Sequence, residues 1–112
     1  MKLLIAGSRT IEKFDLTGYI PSDTDLIISG GAKGIDTLAE KFADDNGIEK
    51  LIVRPQYDLF GRAAPFKRNE QMVDMSDEVL AVWDGRSRGT EYTLKYAKKK
   101  RKKITEIIVG DK

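Results

Sequence analysis

Five short apolar runs recur along this 112-residue chain, at residues 2–6, 26–29, 51–54, 78–83 and 104–109, with helical patterns between them. The runs are rich in Leu, Ile and Val with little polar alternation, as expected of strands covered on both faces. Between the second and third, Ile35, Leu38, Ala39, Phe42 and Ala43 follow the i, i+3, i+4, i+7, i+8 spacing of a buried helix face. Helices are predicted at about 34–46, 65–76 and 89–102, with a weaker segment at 14–20 that ends at Pro21. Strands alternating with helices give a parallel sheet with right-handed crossovers. The expected fold is α/β: a single open sandwich of about five parallel strands with three or four helices, residues 1–112 forming one domain.

In such a sheet a ligand binds beyond the C-terminal ends of the strands, where the strand order reverses. Three turns that belong at that edge are rich in glycine, hydroxyl and arginine. Gly7-Ser8-Arg9 follows the first run, Ser29-Gly30-Gly31-Ala32-Lys33-Gly34-Ile35-Asp36 the second, and Trp83-Asp84-Gly85-Arg86-Ser87-Arg88-Gly89-Thr90 the fourth. Glycine lets the backbone approach a ligand, and the free N–H groups of a helix's first turn point at it. Phosphate is the usual guest. The G-G-x-x-G spacing matches neither the dinucleotide G-x-G-x-x-G nor a P-loop, because Lys33-Gly34 lacks the Lys-Ser/Thr pair that holds magnesium.

Composition removes several chemistries. The chain has no cysteine and no histidine. Disulfides, thiolate metal sites and imidazole bases are excluded. No metal and no resident cofactor are expected. No run approaches the length of a membrane span, and the N-terminal Met-Lys-Leu-Leu-Ile-Ala-Gly is too short for a signal peptide. A cytoplasmic location without membrane contact is the expectation. The net charge of +2 hides an asymmetry, because seven of the 20 basic residues fall between Lys95 and Lys103 with no acid among them. Such a patch suits a nucleic acid or another polyanion; it equally suits a solvated helix end whose cations complement the dipole.

Several side chains are candidates for chemistry. Arg9, directly after a strand, is placed to clamp a phosphate in bidentate fashion, or to form a surface ion pair. Thr90 is placed to cap the last helix, and Pro65 to open the third. Tyr57 stacks on a base or on a partner subunit, whereas Phe60 packs. Trp83 either lines the pocket or plugs its floor. Asp36 suits a hydrogen bond to the glycine turn or to a ribose hydroxyl better than the role of a base. Glu91 is the one carboxylate in reach for acid–base work.

Taken in order, these motifs resemble the YspA-like branch of the SLOG superfamily. Gly7-Ser8-Arg9, the stretch 29–36, Tyr57 with Gly61-Arg62-Ala63-Ala64 and Arg68-Asn69-Glu70-Gln71-Met72, and Ser87-Arg88-Gly89-Thr90 carry the resemblance, which runs from Leu3 to about Val109. It implies a Rossmann-like sheet that binds a nucleotide-derived ligand, such as a nucleoside phosphate, ADP-ribose or an NAD relative, as a sensor or binding module. Gly7, Ser8, Arg9, Gly30, Gly31, Lys33, Gly34, Ser87, Gly89 and Thr90 would cradle phosphate. Arg68 would reach the phosphate or ribose, and Tyr57 would lie near the base. The superfamily also contains LOG phosphoribohydrolases, which implies a second reading: an N-glycosidase acting on nucleoside 5′-monophosphates, with Arg68 and Glu91 catalytic. The position of the LOG catalytic Glu is Thr93 in this sequence. The DNA-processing protein A group implies a third, less favoured reading, single-stranded DNA binding. A small domain of this kind also suggests a homodimer.

Overall fold

The computed structural model describes residues 1–110. Five strands, β1 (Lys2–Gly7), β2 (Leu26–Ser29), β3 (Glu49–Ile52), β4 (Glu78–Trp83) and β5 (Lys103–Ile108), form one all-parallel sheet in the order β3-β2-β1-β4-β5. Three long helices, α1 (Ile35–Asp45), α3 (Ala64–Met75) and α4 (Arg88–Lys99), flank it, and a single turn, α2 (Tyr57–Phe60), precedes α3. The arrangement is α/β and Rossmann-like, as expected.

Strand composition explains the layering. Successive side chains of a strand face opposite sides, so an uninterrupted apolar run needs cover on both. In β1, Leu3 and Ile5 pack with Ile35, Ala39 and Ala43 of α1, while Leu4 packs with Met72 and Val73 of α3 and Ala97 of α4. On the α4 side, Ala81, Trp83 and Leu94 form a satellite cluster. These two cores give the three layers. The edge strands depart from expectation: β3 is mostly exposed, and Lys103, Thr105 and Glu106 of β5 are exposed as well.

Two local expectations are corrected. Residues 14–20 form no helix; the Asp15 carboxylate accepts the Thr17 N–H, Tyr19 N–H donates to the Leu16 carbonyl, and Gly18 adopts φ 93°. That is turn chemistry, with Leu16 buried as the anchor. The third strand spans 49–52 rather than 51–54, because its partner β2 ends at Ser29, which pairs with Ile52. Beyond that point the Gly30-Gly31 turn leaves the sheet, and only the Val53 N–H still reaches the Ser29 carbonyl.

The sheet order places a switch point between β1 and β4: successive strands run one way from β1 to β3 and the other way through β4 and β5. Ser8 ties the two strand ends together. Its N–H donates to the Val82 carbonyl at 3.2 Å, and its hydroxyl accepts the Asp84 N–H at 2.9 Å. Gly34 brings α1 against the same turn. Its φ of 74° is left-handed, and an added Cβ would collide with the Ser8 and Arg9 backbone. The Ile35 N–H then donates to the Ser8 carbonyl at 3.2 Å. Gly34→Ala should therefore destabilise the domain by about 2–4 kcal/mol, lowering Tm by about 8 °C or more. A thermal melt no lower than that of the unaltered protein would contradict this packing.

Candidate functional site

A cavity of about 490 Å³ opens at the switch point, within the range of small-molecule sites. Its walls come from the turn after β1 (Gly7, Ser8, Arg9, Thr10), the turn after β4 with the start of α4 (Asp84, Arg86 to Thr90, Thr93), and α3 (Pro65, Phe66, Arg68, Asn69, Met72). Ala32 and Asp36 complete it from the β2–α1 turn. Four arginines, Arg9, Arg68, Arg86 and Arg88, line one space with two aspartates, Asp36 and Asp84. The balance favours an anion.

The start of α4 is built as a donor site. Ser87, and not Thr90 as expected, caps the helix: its hydroxyl accepts the Thr90 N–H at 3.3 Å and the Thr90 hydroxyl at 3.2 Å, which puts Thr90 inside the first turn. Asp84 accepts the N–H groups of Arg86 and Ser87 at 2.8 and 3.2 Å, fixing the turn and holding its own carboxyl below the usual carboxylate range. The Arg88 and Gly89 N–H groups donate to no described residue, and both residues line the cavity. With the positive end of a 12-residue helix behind them, they suit a phosphate oxygen. The Gly89 carbonyl points the other way in bonding terms, accepting from Thr93 Oγ1 at 2.9 Å and Asn69 Nδ2 at 3.3 Å.

Arg68 is the most constrained charge in the site. It is 9% exposed. Its Nη1 donates to the Gly30 carbonyl at 2.7 Å and the Val53 carbonyl at 3.2 Å, and its Nε to Asn69 Oδ1 at 2.8 Å. Burial pulls its pKa down, and the nearby Asp36 charge is the main opposing influence. Nη2 donates to no described residue, while the side chain lines the cavity.

The β2–α1 turn is used differently from the other two. Gly31 N–H donates to Ser29 Oγ at 3.2 Å, Ala32 N–H to Asp36 Oδ2 at 3.1 Å, and the Gly31 carbonyl accepts from Arg54 Nη1 at 3.2 Å. Its donors are thus largely satisfied within the protein. Gly30, Gly31, Lys33 and Gly34 lie outside the cavity lining, and Lys33 is exposed. Tyr57 is also outside it, 60% exposed on α2. Gly7, Ser8, Arg9, Arg68, Ser87, Gly89 and Thr90 are brought together around the cavity. Glu91 is exposed and does not line it, whereas Thr93 is buried and does. Trp83 neither lines nor floors the cavity; its indole N–H donates to Glu106 at 2.9 Å and its ring packs on Leu94.

Asp36, Asp84, Asn69 and Arg88 have larger parts in the cavity than sequence reasoning gave them. Asp36 was legible as a partner of the glycine turn, and it bonds that turn. Asn69, one residue after Arg68, carried no signal except the motif that contains both. A second, more open depression of about 720 Å³ lies between β3 and α3, lined by Leu51, Val53, Pro55 and Met75 among others. It sits at the sheet edge, away from the switch point. Among the described residues no group of three or more acidic side chains could hold a metal ion, and no helix is long and apolar enough to cross a membrane.

Forty residues of the chain, 36% of its length, align at 50% identity with the uncharacterized SPbeta prophage-derived protein YoqJ of Bacillus subtilis (strain 168). That alignment covers 23% of the relative, less than a quarter of its length. No family model matches the chain, and no solved structure does.

Burial pushes the Asp36 carboxyl above its ordinary value of 3.8, against the pull of the Ala32 N–H and the Arg68 charge. The folded state therefore binds this proton more tightly than the unfolded chain. Its contribution to stability is fully present below the unfolded pKa and is lost as pH rises through the folded one. Asp36→Asn keeps an acceptor for the Ala32 N–H and removes the buried charge. Its Tm should exceed that of the unaltered protein at pH 7, and the difference should shrink toward pH 4. Melts across that window check it, and a difference that grows on acidification would contradict it.

Proposed function

We propose that the protein binds a nucleotide-derived ligand, such as a nucleoside phosphate, ADP-ribose or an NAD relative, and acts as a sensor or binding module. The observation that carries this reading is Arg68, only 9% exposed and with an Nη2 that donates to no described residue, lining the same cavity as the unpaired N–H groups at the start of α4. A buried cation with a spare donor favours an anionic acceptor, and the α4 terminus supplies the geometry for phosphate. Arg9, Arg86 and Arg88 raise the local positive potential at the mouth.

The N-glycosidase reading has less support. Glycosidic cleavage uses a carboxylate to stabilise an oxocarbenium-like centre or to activate water. The exposed Glu91 lies outside the cavity lining, and the inward position on α4 is Thr93, whose hydroxyl is bonded to the Gly89 carbonyl. The basic window belongs to another part of the molecule. It begins at Lys95 in the second half of α4, about 12 Å along the axis from the Ser87 cap, and runs on past the helix end. Single-stranded DNA bound there would use backbone contacts remote from the cavity.

Thermal melts with AMP, GMP, CMP, UMP, ADP-ribose, NAD and cyclic dinucleotides test the reading. A ligand at ~100 times its Kd adds about 2.7 kcal/mol, a rise of several degrees for a domain of this size. Gly89→Ala separates binding from folding. A Cβ there meets nothing nearer than Asn69 Nδ2 at 3.8 Å, and alanine in a helix is better by up to about 1 kcal/mol. The ligand-free Tm should hold or rise, while the ligand-induced rise falls. No shift with any of these compounds, or an undiminished one in Gly89→Ala, would contradict the assigned site.

A further inference from the structure

A cavity meant only for an anion has no use for a carboxylate, yet Asp36 lines this one at 8% exposure. One oxygen is accounted for: Oδ2 accepts the Ala32 N–H at 3.1 Å. The Gly30 N–H also approaches the carboxylate and favours its charged form, while Oδ1 makes no hydrogen bond of good geometry with a described residue. Arg68 is in none of the ion pairs among the described residues; its hydrogen bonds go to the Gly30 and Val53 carbonyls and to Asn69. The two groups interact only through their charges. Asp36 is thus neither an unneeded charge balanced by a salt bridge nor a fully satisfied cap.

Among the described residues the fully buried side-chain polar atom without a partner is Thr24 Oγ1, so Asp36 Oδ1 keeps some accessibility, and a charge-assisted hydrogen bond from a ligand in the cavity would take the place of one from water. The donor cannot be the phosphate itself, because the carboxylate repels the anion that the arginines attract. Sugar hydroxyls attached to the phosphate meet both demands in one molecule. We propose that Asp36 is the specificity-determining residue of the site, its free Oδ1 accepting a ribose hydroxyl, so that ribonucleoside phosphates bind in preference to their 2′-deoxy counterparts. This rests on the phosphate-binding reading above and adds the sugar to it.

The selectivity follows from asymmetry. A ligand that keeps the hydroxyl pairs Oδ1. One that lacks it occupies the cavity, excludes water and leaves the oxygen unpaired. A lost hydrogen bond to a charged group lowers affinity by about tenfold to a hundredfold. A purely structural Asp36, acting through the Ala32 turn, would alter binding of both sugars alike.

Calorimetric titration of the protein with AMP, 2′-deoxy-AMP, ribose 5-phosphate, 2-deoxyribose 5-phosphate and inorganic phosphate tests the proposal. The ribo forms should bind about tenfold to a hundredfold more tightly than the deoxy forms, for the nucleotide and the bare sugar alike. In Asp36→Asn the amide oxygen keeps the Ala32 bond and the amide nitrogen takes the place of the free acceptor. The ribo-to-deoxy ratio should then approach one while the deoxy forms still bind. Equal binding of ribo and deoxy forms by the unaltered protein overturns the proposal without need of a variant, and leaves phosphate binding standing. A ratio preserved in Asp36→Asn overturns it too. If none of the five compounds binds, the phosphate reading itself falls, and the sugar preference with it.

Discussion

A guanidinium buried at the C-terminal edge of a parallel sheet must be held by fixed acceptors, and Arg68 is held by three. The Gly30 and Val53 carbonyls lie on the connections that follow β2 and β3, and Asn69 on its own helix. One side chain thereby fastens α3 to the β2 and β3 ends of the sheet. Removing it would leave the buried Gly30 carbonyl without this donor, at a cost of about 1–3 kcal/mol. Asn69 extends the linkage to the Gly89 carbonyl at the start of α4. Ser8 performs the parallel task between β1 and β4 with its backbone N–H and its hydroxyl.

The same contacts divide the three glycine-bearing turns. The turn after β4 leaves N–H groups unpaired beside a capped helix terminus. The turn after β2 spends its donors internally, on Ser29 and Asp36, and its carbonyls on two arginines. A glycine-rich strand-to-helix turn is therefore a phosphate site only when its N–H groups remain open. Here the β2–α1 turn works as a socket for Arg68, and the α4 terminus is the open one.

Much of the fold was legible because both of its signals are local in sequence. Apolar runs without alternation mark strands buried on two faces, and β1, β2 and β4 match their expected ranges closely. The edges were harder. Glu49 and Lys50 begin β3 but are exposed, so no hydrophobic pattern marks them, and the strand's range is set by its partner β2. Residues 14–20 mimic a short helix in apolar spacing, yet Asp15 and Gly18 favour a turn. The cavity residues on the β1 and β4 turns were legible from glycine, serine and arginine next to strand ends. Asn69, and the exclusion of Lys33, Tyr57 and Glu91 from the lining, depend on helix rotation and on contacts distant in sequence. Periodicity does not fix these.

The central claim is that ligand and cavity meet at the switch point between β1 and β4. Amide NMR titration of the isotopically labelled protein with AMP reads this most directly, since every non-proline backbone N–H reports for itself. Shifts concentrated on residues 8–10, on 86–90 and on the Arg68 side-chain Nε–H are the predicted result. Shifts confined to 95–103, or to the depression between β3 and α3, would contradict the account.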